Sequence, residues 1–329
     1  MEINHNKEIT IGGTTVKPGQ NKLVNISIDR LPTGTLIDIP VYVFNAKKPG
    51  PVVLVQAGLH GDEVNGVEVV RRMLAEKQLQ VSKGAVIAVP ILNIFGFIHF
   101  SRDVPDGKDV NRSFPGTKSG SMASRIAFHY TREILPHIDF GIDLHTGGGQ
   151  RHNFPQIRFT QEDKNSRELA KLFNAPLCFP SSLIKGSFRK TAFNLNKPII
   201  VYEAGESMRF DDFSISEGIQ GVLNILKHFG MTETEIKIKP PSSLYLEDRK
   251  WLRAPTAGMF VPKVKNGGPI KSGELMGLVS DTFAKRTKKI KAPYDGVVIC
   301  INHQAVVNQG DALFHIGKKM QQTDQYVLN

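Results

Sequence analysis

The chain has 329 residues, of which 40% are hydrophobic and 22% charged, with a formal net charge of +11. That length supports a sizeable core and about two domains, and the composition excludes a disordered or fibrous chain. No apolar run approaches the ~20 residues of a membrane span, and the start MEINHNKEIT lacks a basic-then-apolar leader. The cytoplasm is therefore the expected compartment, with no membrane partner. Cys178 and Cys300 lie far apart outside any CxxC pair, which argues against a disulfide framework or a cysteine metal site and for two small buried hydrophobes. The one dense basic run, Lys285, Arg286, Lys288, Lys289 and Lys291, has no nucleic-acid motif beside it and reads as a solvated hairpin or loop. The basic surplus then serves to attract small carboxylates rather than nucleic acid.

In chain order, residues 1–45 alternate apolar and polar residues between turn signals at Pro18-Gly19 and Pro32-Thr33-Gly34, which predicts short antiparallel strands. PVVLVQAG, Pro51 to Gly58, is a continuous β-branched run suited to a strand covered on both faces. Val64, Val67, Val70 and Leu74 follow at helical spacing. Strand then helix recurs: a strand over Gly84 to Leu92, a helix marked by Ala123, Ile126, Ala127, Tyr130 and Ile134, and a strand over Ile138 to Leu144. Leu169, Leu172 and Phe173 predict a further helix, Pro198 to Gly205 a strand, and Ile219, Val222, Leu223, Leu226 and Phe229 a last helix stopped by Gly230. The expectation is an α/β domain over residues 1–240, with a mixed, largely parallel sheet flanked by helices. Lys239, Pro240 and Pro241 read as part of a linker between Lys237 and Ser243. Beyond it, short strands alternate with glycine turns, so a small all-β domain is expected over 246–317.

Four segments carry candidate chemistry. In QAGLHGDEVNG, His60 and Glu63 are three apart where a buried strand meets a helix, so both side chains face one way. Gly58 and Gly61 permit the tight turn around them. In IDLHTGGG, His145 stands where another strand ends, the place where α/β sheets bind ligands. Together His60, Glu63 and His145 make the His₂Glu set of catalytic zinc, which leaves a fourth position for a water of pKa roughly 7. In PIIVYEAGE, Glu203 ends a strand and is the candidate for the proton-transferring carboxylate, with Glu206 the competitor. In SRDVPDGKDVNRSFPG, Arg102, Asn111 and Arg112 are candidates to grip a substrate carboxylate, and Asp109 to orient the loop or back a zinc-bound histidine. His152 follows the His145 loop and is a weaker candidate for lining the pocket.

These four segments, in this order over about Pro49 to Gly230, resemble the succinylglutamate desuccinylase/aspartoacylase family of zinc amidohydrolases, which is similar in fold to zinc carboxypeptidases. The resemblance implies zinc on His60, Glu63 and His145, catalysis by Glu203, and substrate contacts from Arg102, Asn111 and Arg112. Where the family often has Asn-Pro, this chain has Asn93 followed by Ile94 and Phe95, which leaves the shape of the next loop open. RAPTAGMF, Arg253 to Phe260, and IKAPYDGVV, Ile290 to Val298, resemble biotinyl and lipoyl carrier β-sandwiches. The module lacks a Met-Lys-Met or Asp-Lys attachment site, so a structural or oligomerising role is expected; a homo-oligomer stays open. A similar appended module occurs in the branch resembling N-acetyl-diaminobutyrate deacetylases. The expected activity is hydrolysis of an N-acyl amino acid. The alternatives are a metallocarboxypeptidase acting on peptides and a zinc-containing binding protein without turnover. There is no GxSxG, Walker A or HExxH sequence to suggest another enzyme class.

Overall fold

A computed structural model of the chain describes residues 7–233, 240 and 242–320. Lys237, Lys239 and Pro241 of the expected linker lie outside the described residues. The N-terminal stretch forms a small hairpin, β1 (Ile9–Ile11) and β2 (Thr14–Val16), then the long antiparallel pair β3 (Gln20–Arg30) and β4 (Leu36–Asn45). The strand-helix region contains β5 (Lys48–Ala57), α1 (Val64–Ala75), β6 (Lys83–Val89), α2 (Ile94–Ile98), α3 (Met122–Ile134) and β7 (Phe140–Gly147). It continues through β8 (Arg151–Phe159), α4 (Lys164–Phe173), β9 (Leu177–Pro180), α5 (Phe188–Asn194), β10 (Ile199–Glu206) and α6 (Asp212–His228). The C-terminal strands are β11 (Leu244–Arg253), β12 (Gly258–Pro262), β13 (Pro269–Ile270), β14 (Leu275–Ser280), β15 (Thr287–Lys291), β16 (Gly296–Asn302), β17 (Val306–Val307) and β18 (Ala312–Lys319).

The main sheet is mixed, in the order β13-β16-β18-β11-β9-β8-β10-β7-β5-β6-β4-β3. Parallel pairing joins β10, β7, β5 and β6 at the centre and β8, β9 and β11 beyond; the other pairs are antiparallel. The apolar run of β5 is central because both its faces are covered: Val53, Leu54 and Val55 are fully buried. Leu54, Ile87 and Val89 pack with Ile126 and Tyr130 of α3 on one face. Val53, Val55 and Ile142 pack with Val69 and Met73 of α1, Phe173 of α4 and Ile225 of α6 on the other. The central strands point their carboxyl ends the same way, which gathers the loops after β5, β7 and β10 at one rim.

The segment from Arg151 to Arg158, to which the sequence pattern assigns no element, is part of β8. Its pattern was hidden because Pro155 sits inside it and because Asn153, Gln156 and Arg158 are spent on polar contacts rather than on an apolar face. The C-terminal strands form two layers. One is the β13-β16-β18-β11 end of the main sheet; the other is β15-β14-β12-β17. Between them lie Phe260, Met276, Val279, Leu313 and Phe314. Cys300 of β16 also pairs with Asn153 of β8, which ties these strands back to the rim. Cys178 and Cys300 are both buried and free. Lys288, Lys289 and Lys291 lie on the exposed strand β15. Among the described residues, no helix is long and apolar enough to cross a membrane.

Candidate metal centre

The chain turns sharply at the end of β5. Gly58 has a φ of +60°, and a Cβ there would meet Ile91 Cα at 2.9 Å. A Cβ on Gly61 would fall 1.9 Å from Gly96 C, so only glycine lets the metal loop pack against α2. Glu63 occupies the position before α1, where an anion is favoured by the helix N-terminus. It does not cap the helix; its carboxylate is turned inward instead. Oε1 lies 2.7 Å from His60 Nδ1, and Oε2 lies 2.9 Å from His145 Nδ1 and accepts from the Thr146 N–H at 2.9 Å. All three side chains are buried, and their ligand atoms lie within 4.8 Å of one another.

The far nitrogen of each imidazole faces a carboxylate. His60 Nε2 is 3.3 Å from Asp109, and His145 Nε2 is 3.0 Å from Asp143. This arrangement turns both Nδ1 atoms toward a common point, as carboxylate-histidine-metal triads require. A guanidinium nitrogen of Arg102 lies 3.2 Å from Glu63 Oε1 and 3.3 Å from His60 Nδ1, so the cluster attracts positive charge. The donor set therefore fits a divalent zinc-type ion: two imidazoles, one acid, and satisfied outer partners.

Electrostatics agree with that fit. Burial opposes ionisation of Glu63, but His60 and His145 outweigh it and hold the carboxyl well below its usual range. Burial likewise opposes protonation of the two imidazoles. Glu63 and Asp109 overcome it for His60, and Asp143 and Glu63 for His145, so both are raised, His145 well above the ordinary value.

Glu203 stands beside His145 across the β7-β10 pair. Arg158 holds its Oε1 at 3.0 Å, and Asn153 Nδ2 donates to its Oε2 at 2.8 Å. Both it and the metal cluster line one cavity of about 270 Å³. Glu206 is turned elsewhere, with its Oε2 2.6 Å from His303 Nδ1, and it is not among the lining residues. His152 does not line the cavity either; it packs on His303 and lies 3.4 Å from Asp211.

The loop after α2 contributes Arg102, Asn111 and Arg112 to the cavity wall. Asn111 Oδ1 accepts from the Phe188 N–H at 2.9 Å, which leaves its NH₂ to donate to a ligand. Arg102 is bound to Asp109 and Glu63, whereas Arg112 donates to the Asn111 carbonyl at 2.7 Å and is half-exposed. Several lining residues escaped the sequence reading. Asp143 is two positions before His145 in a strand, so period two alone places it on the same face. Arg151, Arg158 and Arg189 also line the cavity, and Trp251 reaches it from β11. Burial and nearby Arg158 push the Arg189 guanidinium down to about 10; its Nη2 donates to the Ser182 carbonyl, while its buried Nη1 has no hydrogen-bond partner among the described residues. Nothing in the local pattern of β11 marks Trp251 as a wall of this cavity.

Comparison with known proteins bears on the family and the fold. The model for the succinylglutamate desuccinylase/aspartoacylase catalytic domain matches residues 49–229. The N-alpha-acetyl-L-2,4-diaminobutyric acid deacetylase of Halomonas elongata is 28% identical over 301 residues, covering 88% of this chain and 87% of that protein. A succinylglutamate desuccinylase structure from Silicibacter sp. superposes with a TM-score of 0.80 at 25% identity, covering 92% of this chain and 95% of that one. The product-bound ectoine utilization protein EutE (DoeB) from Ruegeria pomeroyi shares the fold with a TM-score of 0.79 at 24% identity, covering 91% and 95%. With the family model spanning more than half its length, the chain belongs to the succinylglutamate desuccinylase/aspartoacylase family.

Proposed function

We propose that the protein is a zinc-dependent deacylase that hydrolyses the amide bond of an N-acyl amino acid. The observation that carries this reading is the convergence of His60, Glu63 and His145 within 4.8 Å in a cavity that also contains Glu203. The deacetylase relative, with matching coverage of both chains, supports the same reaction class.

Zinc on His60, Glu63 and His145 would supply Lewis acidity, polarising a carbonyl and acidifying water. Glu203 takes a proton from the attacking water and returns it to the leaving nitrogen as the C–N bond breaks. Arg158 and Asn153 keep its carboxylate oriented for both transfers. Arg112 and the Asn111 NH₂ hold the substrate carboxylate by charge-assisted bonds, and Arg102 places a further positive charge beside the reacting carbonyl, where it favours the oxyanion. The cavity holds five arginines, counting Arg151, Arg158 and Arg189 with Arg102 and Arg112. Such a wall favours a carboxylate-bearing ligand, and Trp251 forms part of it.

The test is a panel of N-acyl amino acids and short peptides incubated with zinc-loaded protein. Release of the free amino acid from acyl amino acids supports the reading. Preference for peptides would instead support a carboxypeptidase, and bound zinc without any hydrolysis a binding protein.

A further inference from the structure

The parallel register of β5 and β7 sets Gln56 opposite Asp143. Two residues along β7, His145 projects from the same face. Helix α3 covers that face and brings Tyr130 down onto it. The result is a single line of hydrogen bonds. The Tyr130 hydroxyl donates to Gln56 Oε1 at 2.6 Å, Gln56 Nε2 donates to Asp143 Oδ1 at 2.9 Å, and Asp143 Oδ2 lies 3.0 Å from His145 Nε2. Tyr130 and Gln56 are fully buried, and Asp143 is 1% exposed.

The polarity of this line is fixed by one charge. An ionised Asp143 only accepts, so the amide of Gln56 must turn its NH₂ toward it. The Gln56 carbonyl is then left facing Tyr130, which must donate. At the other end Asp143 accepts a hydrogen bond from the Nε2–H of His145, which leaves the Nδ1 lone pair for the metal. Every group has one role, and none can be reversed without burying an unpaired atom.

We infer that Tyr130 and Gln56 are positioning residues for the metal centre, acting through Asp143 to fix the tautomer and ring orientation of His145. The inference rests on the zinc reading above. It explains why a tyrosine and a glutamine occupy sites in an otherwise apolar layer: without its partner, each member would leave the next with an unsatisfied group in low dielectric.

The test is zinc affinity, measured by competition with a chromophoric chelator, for wild type, Tyr130→Phe, Asp143→Asn, the double variant, and Ile126→Val. Ile126→Val trims the core on the same helix and removes no member of the line. Asp143→Asn is expected to weaken zinc binding by about 10- to 100-fold and Tyr130→Phe by about 3- to 10-fold, one bond further away. Ile126→Val leaves it unchanged. In the Asp143→Asn background, Tyr130→Phe adds nothing, because the line is already cut. Wild-type affinity in Tyr130→Phe, a full additive effect in the double variant, or an equal loss in Ile126→Val overturns the inference. A wild-type protein that takes up no zinc overturns the metal reading itself, which the same titration reports separately.

Discussion

Glu203 and His145 are direct partners across the parallel β7-β10 pair. The strand register therefore delivers the candidate proton-transfer group and a metal ligand to the same rim, side by side. The Glu203 carboxylate oxygens are held by Arg158 and Asn153. Glu203→Gln should bind zinc as wild type while turnover falls by about 10²- to 10⁴-fold. Metal analysis beside steady-state kinetics checks this; full turnover in the variant removes Glu203 from the role.

Arg112 is half-exposed and bonded to the backbone of its own loop, so its loss should leave the fold intact. Arg112→Ala is expected to raise KM for an acyl amino acid by about 10- to 100-fold, as a charged hydrogen bond of about 1.5–3 kcal/mol is lost. kcat should change little if the contact serves binding alone. Arg112→Lys should restore only part, since an ammonium cannot offer the paired donors of a guanidinium.

Zinc binding should depend on pH in a stated direction. His60 and His145 must lose a proton to ligate, and both are raised above the ordinary imidazole value of 6.5 in the metal-free cluster. Protons therefore compete with zinc already above pH 6.5, and apparent affinity falls as pH drops through that range. A chelator titration at several pH values reads this, and an affinity flat between pH 8 and 6 would contradict it.

His315 offers a stability prediction at a residue that is not a metal ligand. It stacks on Trp251 with ring centroids 4.6 Å apart, and burial, with Arg158 and Arg249 nearby, pushes it down to about 3 from 6.5. Between those values the unfolded chain binds the extra proton. The contribution is thus present above pH 6.5 and lost as pH falls toward 3, the loss reaching about 2 kcal/mol at pH 5. His315→Phe should flatten the decline of Tm between pH 7 and pH 5. An unchanged slope would show that His315 does not carry it.

Much of the site was legible because its parts are short and local. His60 and Glu63 stand three apart before a helix, and His145 and Glu203 end apolar strands, which are signals a single sequence carries. Asp143 is equally placed by period two, but it lies within an otherwise apolar run, as Gln56 does near the end of PVVLVQAG, and a lone polar residue in such a run carries no local signal of its role. What escaped depends on distant contacts. Arg158 lies on a strand whose polar residues and Pro155 disguise it, and Trp251 reaches the cavity only because β11 pairs with β9 and the C-terminal strands fold back onto β8. The boundaries of the sheet show the same limit. The central parallel strands follow from their β-branched runs, whereas the continuation through β11, β18 and β16 is set by pairings that no local pattern encodes.

Metal-stripped protein titrated with zinc, with bound metal and acyl amino acid hydrolysis followed together, tests the metal assignment most directly. The expected result is uptake of one zinc per chain with hydrolysis rising in proportion, and loss of both in His145→Ala. Undiminished hydrolysis by the stripped protein, or unchanged zinc uptake in His145→Ala, would contradict it.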